Sequence, residues 1–199
     1  FVPNAPTVVI VDDSNNDQLL TKGEIGNDQI QVRAEVSNGD LVAGGKVTLT
    51  INNGGTESTV ELKLVNGVLM LASGQPANGF VYNNGTIGWT ETTPANGKAL
   101  SVTATQTDKA GNESLPGSDM ATILNEAPET ADKQASGLED AASIAIPALS
   151  GSDIDGTVVS FTIKSLPANG VLLLDGVPVT ENQSVQAVDA GKLTFVPSA

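Results

Sequence analysis

Thirteen residues, Asp12 to Glu24 (DDSNNDQLLTKGE), place oxygen-bearing side chains at alternate positions directly after the apolar run Val8–Val11. With Asp13 as position 1, Asn15 falls at 3, Asp17 at 5, Leu19 at 7, Thr21 at 9 and Glu24 at 12. That is the ligand spacing of a calcium-binding EF-hand loop, in which position 7 uses its backbone carbonyl and a Glu at 12 gives both carboxylate oxygens. Hard oxygen donors at this spacing suit calcium, because it tolerates a flexible, crowded shell where magnesium requires a tight octahedron. One position departs from the pattern. Gln18 stands at position 6, where Gly normally makes the sharp turn, and a residue with a Cβ enters the left-handed region only at a cost. The competing reading is a solvated loop rich in Asp and Asn.

A second set of oxygens lies further along, in Leu138-Glu139-Asp140 and Ser152-Asp153-Ile154-Asp155-Gly156. Asp-x-Asp-Gly sets two carboxylates two residues apart around a Gly turn, able to hold one cation between them. Asp108 and Asn112 form a third pair, whose plainer reading is a hairpin turn.

The elements that must position these loops read as β. No long stretch carries a 3.6-residue apolar period. Gln29–Val36 (QIQVRAEV) alternates apolar and polar residues as a half-buried strand does. Strands are expected over Thr7–Val11, Gln29–Val36, Lys46–Ile51, Thr59–Leu64, Gly67–Leu71, Thr86–Thr90, Ala99–Thr107 and Met120–Leu124, separated by Asn- and Gly-rich turns. Pro-Ala-Asn-Gly recurs at 76–79, 94–97 and 167–170 and reads as three further turns. Short strands at this spacing predict an immunoglobulin-like sandwich.

A composition break follows Leu124, where Asn125-Glu126-Ala127-Pro128 echoes Asn4-Ala5-Pro6. The break predicts two domains, 1–124 and 125–199. In the second, strands are expected near Ala142–Pro147, Thr157–Lys164, Val171–Leu174, Ser184–Val188 and Lys192–Val196. A complete sandwich needs one or two more, so this domain is expected to be truncated or completed by chain outside this sequence. The expected fold class is therefore all-β, with tandem immunoglobulin-like and cadherin-like β-sandwiches, the second incomplete.

Composition narrows the function. The 199 residues include 23 Asp and Glu against 9 Lys and Arg, for a formal charge of −14. That balance argues against nucleic acid and against anionic membrane surfaces, both of which require clustered cations. No apolar run reaches the length of about 20 residues that a membrane-spanning helix needs. The chain has no His and no Cys, which removes imidazole bases, thiolate nucleophiles, disulfides and thiolate metal sites. No Gly-x-Ser-x-Gly occurs, so the expectation is a protein that is not an enzyme. The alternative binding role is a carbohydrate-binding module with Phe80, Tyr82 and Trp89 as its platform, although a core position for Trp89 is expected.

The second block, with NEAPETADKQ, GSDIDGTVVSFTIKSLPANGVLLLDG and LTFVP, resembles the cadherin-like repeats of giant bacterial surface adhesins. The first, with VDDSNNDQLLTKGE and TATQTDKAGNES, is similar to immunoglobulin-like domains of the same RTX-type adhesins, which leave the cell by type I secretion. The resemblance implies an extracellular, cell-surface extender region acting in adhesion or biofilm formation. Calcium at or near domain junctions would stiffen it, and its partners would be calcium ions and neighbouring domains of the same chain. Carried over by position, it implies ligands at Asp153 and Asp155, at Glu139 near the start of the domain, and at Asn125 and Glu126 in the linker. The ligand of the parent adhesin is not specified by any of these residues.

Overall fold

The computed structural model describes residues 1–198. The chain is all-β, with 44% of its residues in strands and 6% in helices. It divides into two compact units, Phe1–Asn125 and Glu126–Ala199.

The first unit is a β-sandwich. Its strands are β1 (Thr7–Ile10), β2 (Leu19–Leu20), β3 (Ile30–Glu35), β4 (Lys46–Asn53), β5 (Thr56–Val65), β6 (Val68–Leu71), β7 (Val81–Asn83), β8 (Thr86–Glu91), β9 (Ala99–Thr107) and β10 (Gly117–Ile123). One sheet has the order β1-β3-β8-β7 and the other β2-β10-β9-β4-β5-β6. All pairings are antiparallel except β2 with β10. The alternation in the sequence sets the faces. In β3, Ile30, Val32 and Ala34 are buried while Gln31, Arg33 and Glu35 are exposed. A strand turns successive side chains to opposite faces, so each sheet presents one apolar face and the two faces close on each other. The resulting core joins Ile10, Val32 and Ile87 of one sheet to Val47, Leu49 and Val102 of the other.

Trp89 belongs to this core, at 6% exposure. Phe80 packs on it with ring centroids 5.7 Å apart, and the indole Nε1 donates to Glu91 Oε1 at 2.9 Å. Tyr82 donates its hydroxyl hydrogen to Asn38 Oδ1. Trp89 is thus a core side chain, as expected, with Phe80 and Tyr82 half-buried against the core. Gln106 is a second buried anchor, with no exposed surface. Its side-chain amide accepts from Ser37 N at 2.7 Å and donates to Ser37 O at 2.8 Å, closing both main-chain groups of that residue as a neighbouring strand would.

Two short helices interrupt the β pattern, α1 (Lys22–Ile25) and α2 (Asn38–Val42). Neither is long enough to show an apolar period. Each starts on a hydroxyl cap, Thr21 for α1 and Ser37 for α2, whose side chain accepts a backbone N–H of the first turn.

The second unit has β11 (Glu129–Ala131), β12 (Ile144–Ala145), β13 (Ser150–Ser152), β14 (Ser160–Thr162), β15 (Gly170–Leu174), β16 (Val177–Pro178), β17 (Ser184–Gln186) and β18 (Leu193–Pro197). They form three antiparallel sheets, β11-β13, β12-β18-β15-β16 and β14-β17. Its buried apolar side chains among the described residues are Val179, Val185, Ala190 and Leu193. The strand expected over Thr157–Lys164 is realised over Ser160–Thr162, paired with β17.

Candidate functional site

The Asp12–Glu24 stretch leaves the buried end of β1 and returns as β2 alongside β10. Asp13, at 5% exposure, is the hub. Its Oδ1 accepts from Asp17 N at 3.1 Å and its Oδ2 from Gln18 N at 3.0 Å. Asn15 Oδ1 accepts from the same Asp17 N–H, and Asn15 Nδ2 donates to Asp17 Oδ2, both at 3.1 Å. Asp17 Oδ1 in turn accepts from Leu19 N at 2.9 Å. The side chains at positions 1, 3 and 5 are thus gathered into one network. They fold the main chain around themselves by the same short-range bonds that make Asx turns.

Gln18 has φ +66°, and Asn16 has φ +55°. The left-handed residue falls at position 6, where the spacing argument called for Gly. Gln18 is held there from both sides, because its N–H reaches Asp13 while its carbonyl accepts from Thr122 N of β10 at 2.9 Å. Leu20 O accepts from Leu124 N at 2.9 Å. Carbonyls of alternate residues in a strand point to opposite edges. With Gln18 and Leu20 bonded to β10, the Leu19 carbonyl points away from it, on the side where the Leu19 N–H meets Asp17.

Thr21 and Glu24 close the stretch as a capping box. Glu24 N donates to Thr21 Oγ1 at 3.2 Å, and Glu24 Oε2 accepts from Thr21 N and Thr21 Oγ1, each at 2.9 Å. The box explains why a helix starts here at all. A Thr three residues ahead of a Glu is a legible start signal, and the strand-dominated reading passed over it.

Each carboxylate oxygen in this set has two lone pairs, so accepting one N–H leaves capacity for another partner. The donor set suits a hard cation by chemistry. Its arrangement is closed on itself, with Glu24 turned onto Thr21. Among the described residues no three Asp or Glu side chains are grouped so as to hold a metal ion.

Asp12 and Asp119, outside the expected ligand set, serve the main chain. Asp12 Oδ2 accepts from Gln31 N at 2.8 Å, and Asp119 Oδ2 accepts from Ile10 N at 2.7 Å. The Asp12 carboxyl titrates above its ordinary value of 3.8, chiefly through burial, with the negative charge of Asp28 adding to the rise and the Gln31 hydrogen bond opposing it. Asp108 accepts from Asn112 N at 2.9 Å and Asn112 Nδ2 at 2.8 Å inside a tight turn, as the hairpin reading required. These bonds hold its carboxyl below the ordinary value.

The second unit brings some of its expected residues together and not others. Asp153 Oδ1 accepts from Asp155 N at 3.3 Å, and Asp155 Oδ2 accepts from Glu126 N at 2.9 Å. A Cβ built on Gly156 would lie 2.7 Å from Asp153 Oδ2, so only Gly lets this carboxylate wrap over the turn. Glu126, Glu129 and Asp153 line a cleft of about 390 Å³. Glu129 was missed by spacing arguments because it arrives on β11, paired through Glu129↔Ser152 to the strand that leads into Asp153. Glu139 and Asp140 lie in an exposed turn, and no hydrogen bond among the described residues joins them to Asp153 or Asp155. Asn125 closes the first unit, and its Oδ1 accepts from Asn96 Nδ2 at 2.9 Å in the second Pro-Ala-Asn-Gly turn.

No protein-family model matches the chain, and no curated protein matches it either.

Proposed function

We propose that the chain is a calcium-stiffened structural extender of a secreted bacterial surface adhesin, projecting distal ligand-binding domains outward for adhesion or biofilm formation. The role is mechanical, with no catalytic step. One observation carries the reading. In the Asp13–Glu24 loop Asp13, Asn15 and Asp17 are joined in one hydrogen-bond network, with a left-handed residue, Gln18, at position 6 of the register.

In this reading Asp13, Asn15 and Asp17 form the entry half of the loop, the Leu19 carbonyl and Thr21 its exit half, and Glu24 closes it by turning from Thr21. Calcium, when bound, would supply a divalent charge that crosslinks these oxygens and offsets part of the repulsion in a chain of net charge −14. Asp153 and Asp155, with Glu126, are the corresponding candidates in the second unit. The burial of Trp89 weighs against the carbohydrate-binding alternative.

Calorimetric titration of calcium into the chelated protein, with melting temperature followed in parallel, tests the proposal. A cation that binds only the folded state stabilises it by about 2.7 kcal/mol at one hundred times its Kd. Absence of both binding heat and a rise in melting temperature would sink calcium binding. Binding with an unchanged small-angle scattering profile would remove the stiffening role.

A further inference from the structure

Asn-Gly occurs seven times in the chain, at Asn38, Asn53, Asn66, Asn78, Asn84, Asn96 and Asn169. The pair has a chemistry of its own. A glycine has no side chain to shield its N–H, so its nitrogen can attack Cγ of the preceding Asn. The N–Cγ bond forms, the Cγ–Nδ2 bond breaks and ammonia leaves, giving a succinimide ring. Water then opens the ring at either carbonyl, to Asp or to isoaspartate. Ring closure requires a side-chain amide free to swing onto the glycine nitrogen and a peptide between the two residues free to turn. The fold grants these freedoms unequally.

Five of the seven are held. Asn38 Nδ2 donates to Asn84 Oδ1 at 2.9 Å, and Asn38 Oδ1 accepts from the Tyr82 hydroxyl, so both amides are tied. Gly85 is buried behind Asn84, and its carbonyl accepts from Val36 N at 2.8 Å. Asn53 Nδ2 donates to Thr92 O at 2.8 Å, and Gly54 N to Ala99 O at 2.9 Å. Asn96 Nδ2 donates to Asn125 Oδ1 and Gly97 N to Ile123 O, both at 2.9 Å. Asn169 O accepts from Ser198 N at 3.1 Å, and the Phe195 ring packs on Gly170, 2.3 Å from where a Cβ would stand. Asn66 and Asn78 differ. Both are exposed, as are Gly67 and Gly79. Neither side-chain amide and neither glycine N–H makes a hydrogen bond among the described residues. A Cβ added at Gly67 or Gly79 would meet no atom within 4 Å. Asn66 and Asn84 form a matched pair, each opening a two-residue hairpin turn with positive φ at both residues. The angles are +53° and +79° at Asn66-Gly67, and +45° and +99° at Asn84-Gly85. Turn geometry is shared, and the tertiary contacts are what differ.

We propose that Asn66 and Asn78 are self-modification sites, which convert to Asp and isoaspartate in the folded chain while the other five Asn-Gly pairs are protected. Each conversion adds a negative charge to a chain that is already acidic. Isoaspartate at Asn66 also lengthens the main chain of the turn between β5 and β6, where β6 is the edge strand of its sheet.

The test incubates the full chain at neutral and mildly alkaline pH, folded and in urea, and maps the products by mass spectrometry after proteolysis. Enzymatic methylation identifies isoaspartate, the mark of the succinimide route. In the folded chain, conversion at Asn66 and Asn78 is expected to be at least about tenfold faster than at the five held residues, which must first open one or two hydrogen bonds. In urea all seven are expected to convert at similar rates. Asn38→Ala releases the Asn84 amide and raises conversion there toward that of Asn66, with Asn53 and Asn96 unchanged. A rise shared equally by Asn53 and Asn96 overturns the assignment of that protection to the Asn38 bond. The proposal as a whole falls if Asn66 converts no faster than Asn84 in the folded wild-type chain. It falls equally if the same ranking persists in urea, since the fold would then not be what selects the sites.

Discussion

Replacing Asp13 by Ala tests the loop at its hub. The substitution removes two hydrogen bonds from a carboxylate to backbone N–H groups, those of Asp17 and Gln18 at 3.1 and 3.0 Å. A hydrogen bond to a charged group contributes about 1.5–3 kcal/mol, and leaving a buried donor unmet raises the cost of losing it. The Asp17 N–H keeps Asn15 Oδ1 as acceptor and the N–H of exposed Gln18 finds water, so the loss per bond belongs at the bottom of that range. The expected destabilisation is about 2–3 kcal/mol in chelator, read from urea unfolding. Asp13→Asn keeps one acceptor oxygen and should lose about half as much. A local signature separates this from general weakening of the sandwich. Gln18 O holds Thr122 N at 2.9 Å, so release of the loop speeds amide exchange at Thr122 more than at Ala104 in the centre of β9. A loss below about 0.5 kcal/mol, within the range of an ordinary surface substitution, would refute the claim that Asp13 organises the loop. Loss of stability with calcium heat retained would leave that claim standing and remove Asp13 from the ligand set.

Two other substitutions probe the same region. Gln18→Gly relieves a left-handed conformation at φ +66° that costs about 1–2 kcal/mol with a Cβ, against about 0.5–1 kcal/mol of added chain entropy, so thermal unfolding should show unchanged or slightly raised stability. A clear fall in melting temperature would mean the Gln18 side chain contributes contacts that outweigh the strain. Asp12→Asn tests the pH dependence. The folded-state pKa of Asp12 is raised, so its ionisation disfavours the fold, and the associated stability is present below the ordinary value of 3.8 and is lost as pH rises through the folded value. The variant should therefore gain stability over the wild type above that window and not below it, in urea melts across the acid range. A constant difference at all pH values would assign the effect to the Gln31 hydrogen bond instead.

Legibility differed by the range of the interactions involved. Strands such as β3 and β9 could be read directly, since one face of each is buried and the other is not, and alternation records that difference. β2 could not, because two residues inside a polar loop become a strand only through their parallel pairing with Thr122 and Ile123, a hundred residues away in the chain. The helices are too short for a period, and the capping box of Thr21 and Glu24, the one local mark of α1, was passed over in a stretch read as a ligand loop. In the site, the register from Asp13 anticipated a left-handed residue at position 6, because turn geometry is local. The same register could not anticipate that Glu24 would fold onto Thr21. It also could not show that Asp12 would be drawn to Gln31 or that Glu129 would arrive beside Asp153, since strand pairing sets those contacts.

The capping box and the ligand register place competing demands on Glu24. As an N3 residue its carboxylate serves Thr21, satisfying two donors at 2.9 Å. As the twelfth position of the loop it would turn toward Asp13, Asn15 and Asp17 and offer both oxygens to one cation. A single carboxylate cannot give Oε2 fully to both. Calcium binding would therefore have to exchange two hydrogen bonds to a charged carboxylate, each contributing about 1.5–3 kcal/mol, for a direct bond to a divalent ion. That exchange would set a cost on closing the loop, whereas in its entry half Asp13, Asn15 and Asp17 are already joined in one network. The entry half is thus organised by the chain itself, and in the proposed reading the closing step would be the part left to a cation.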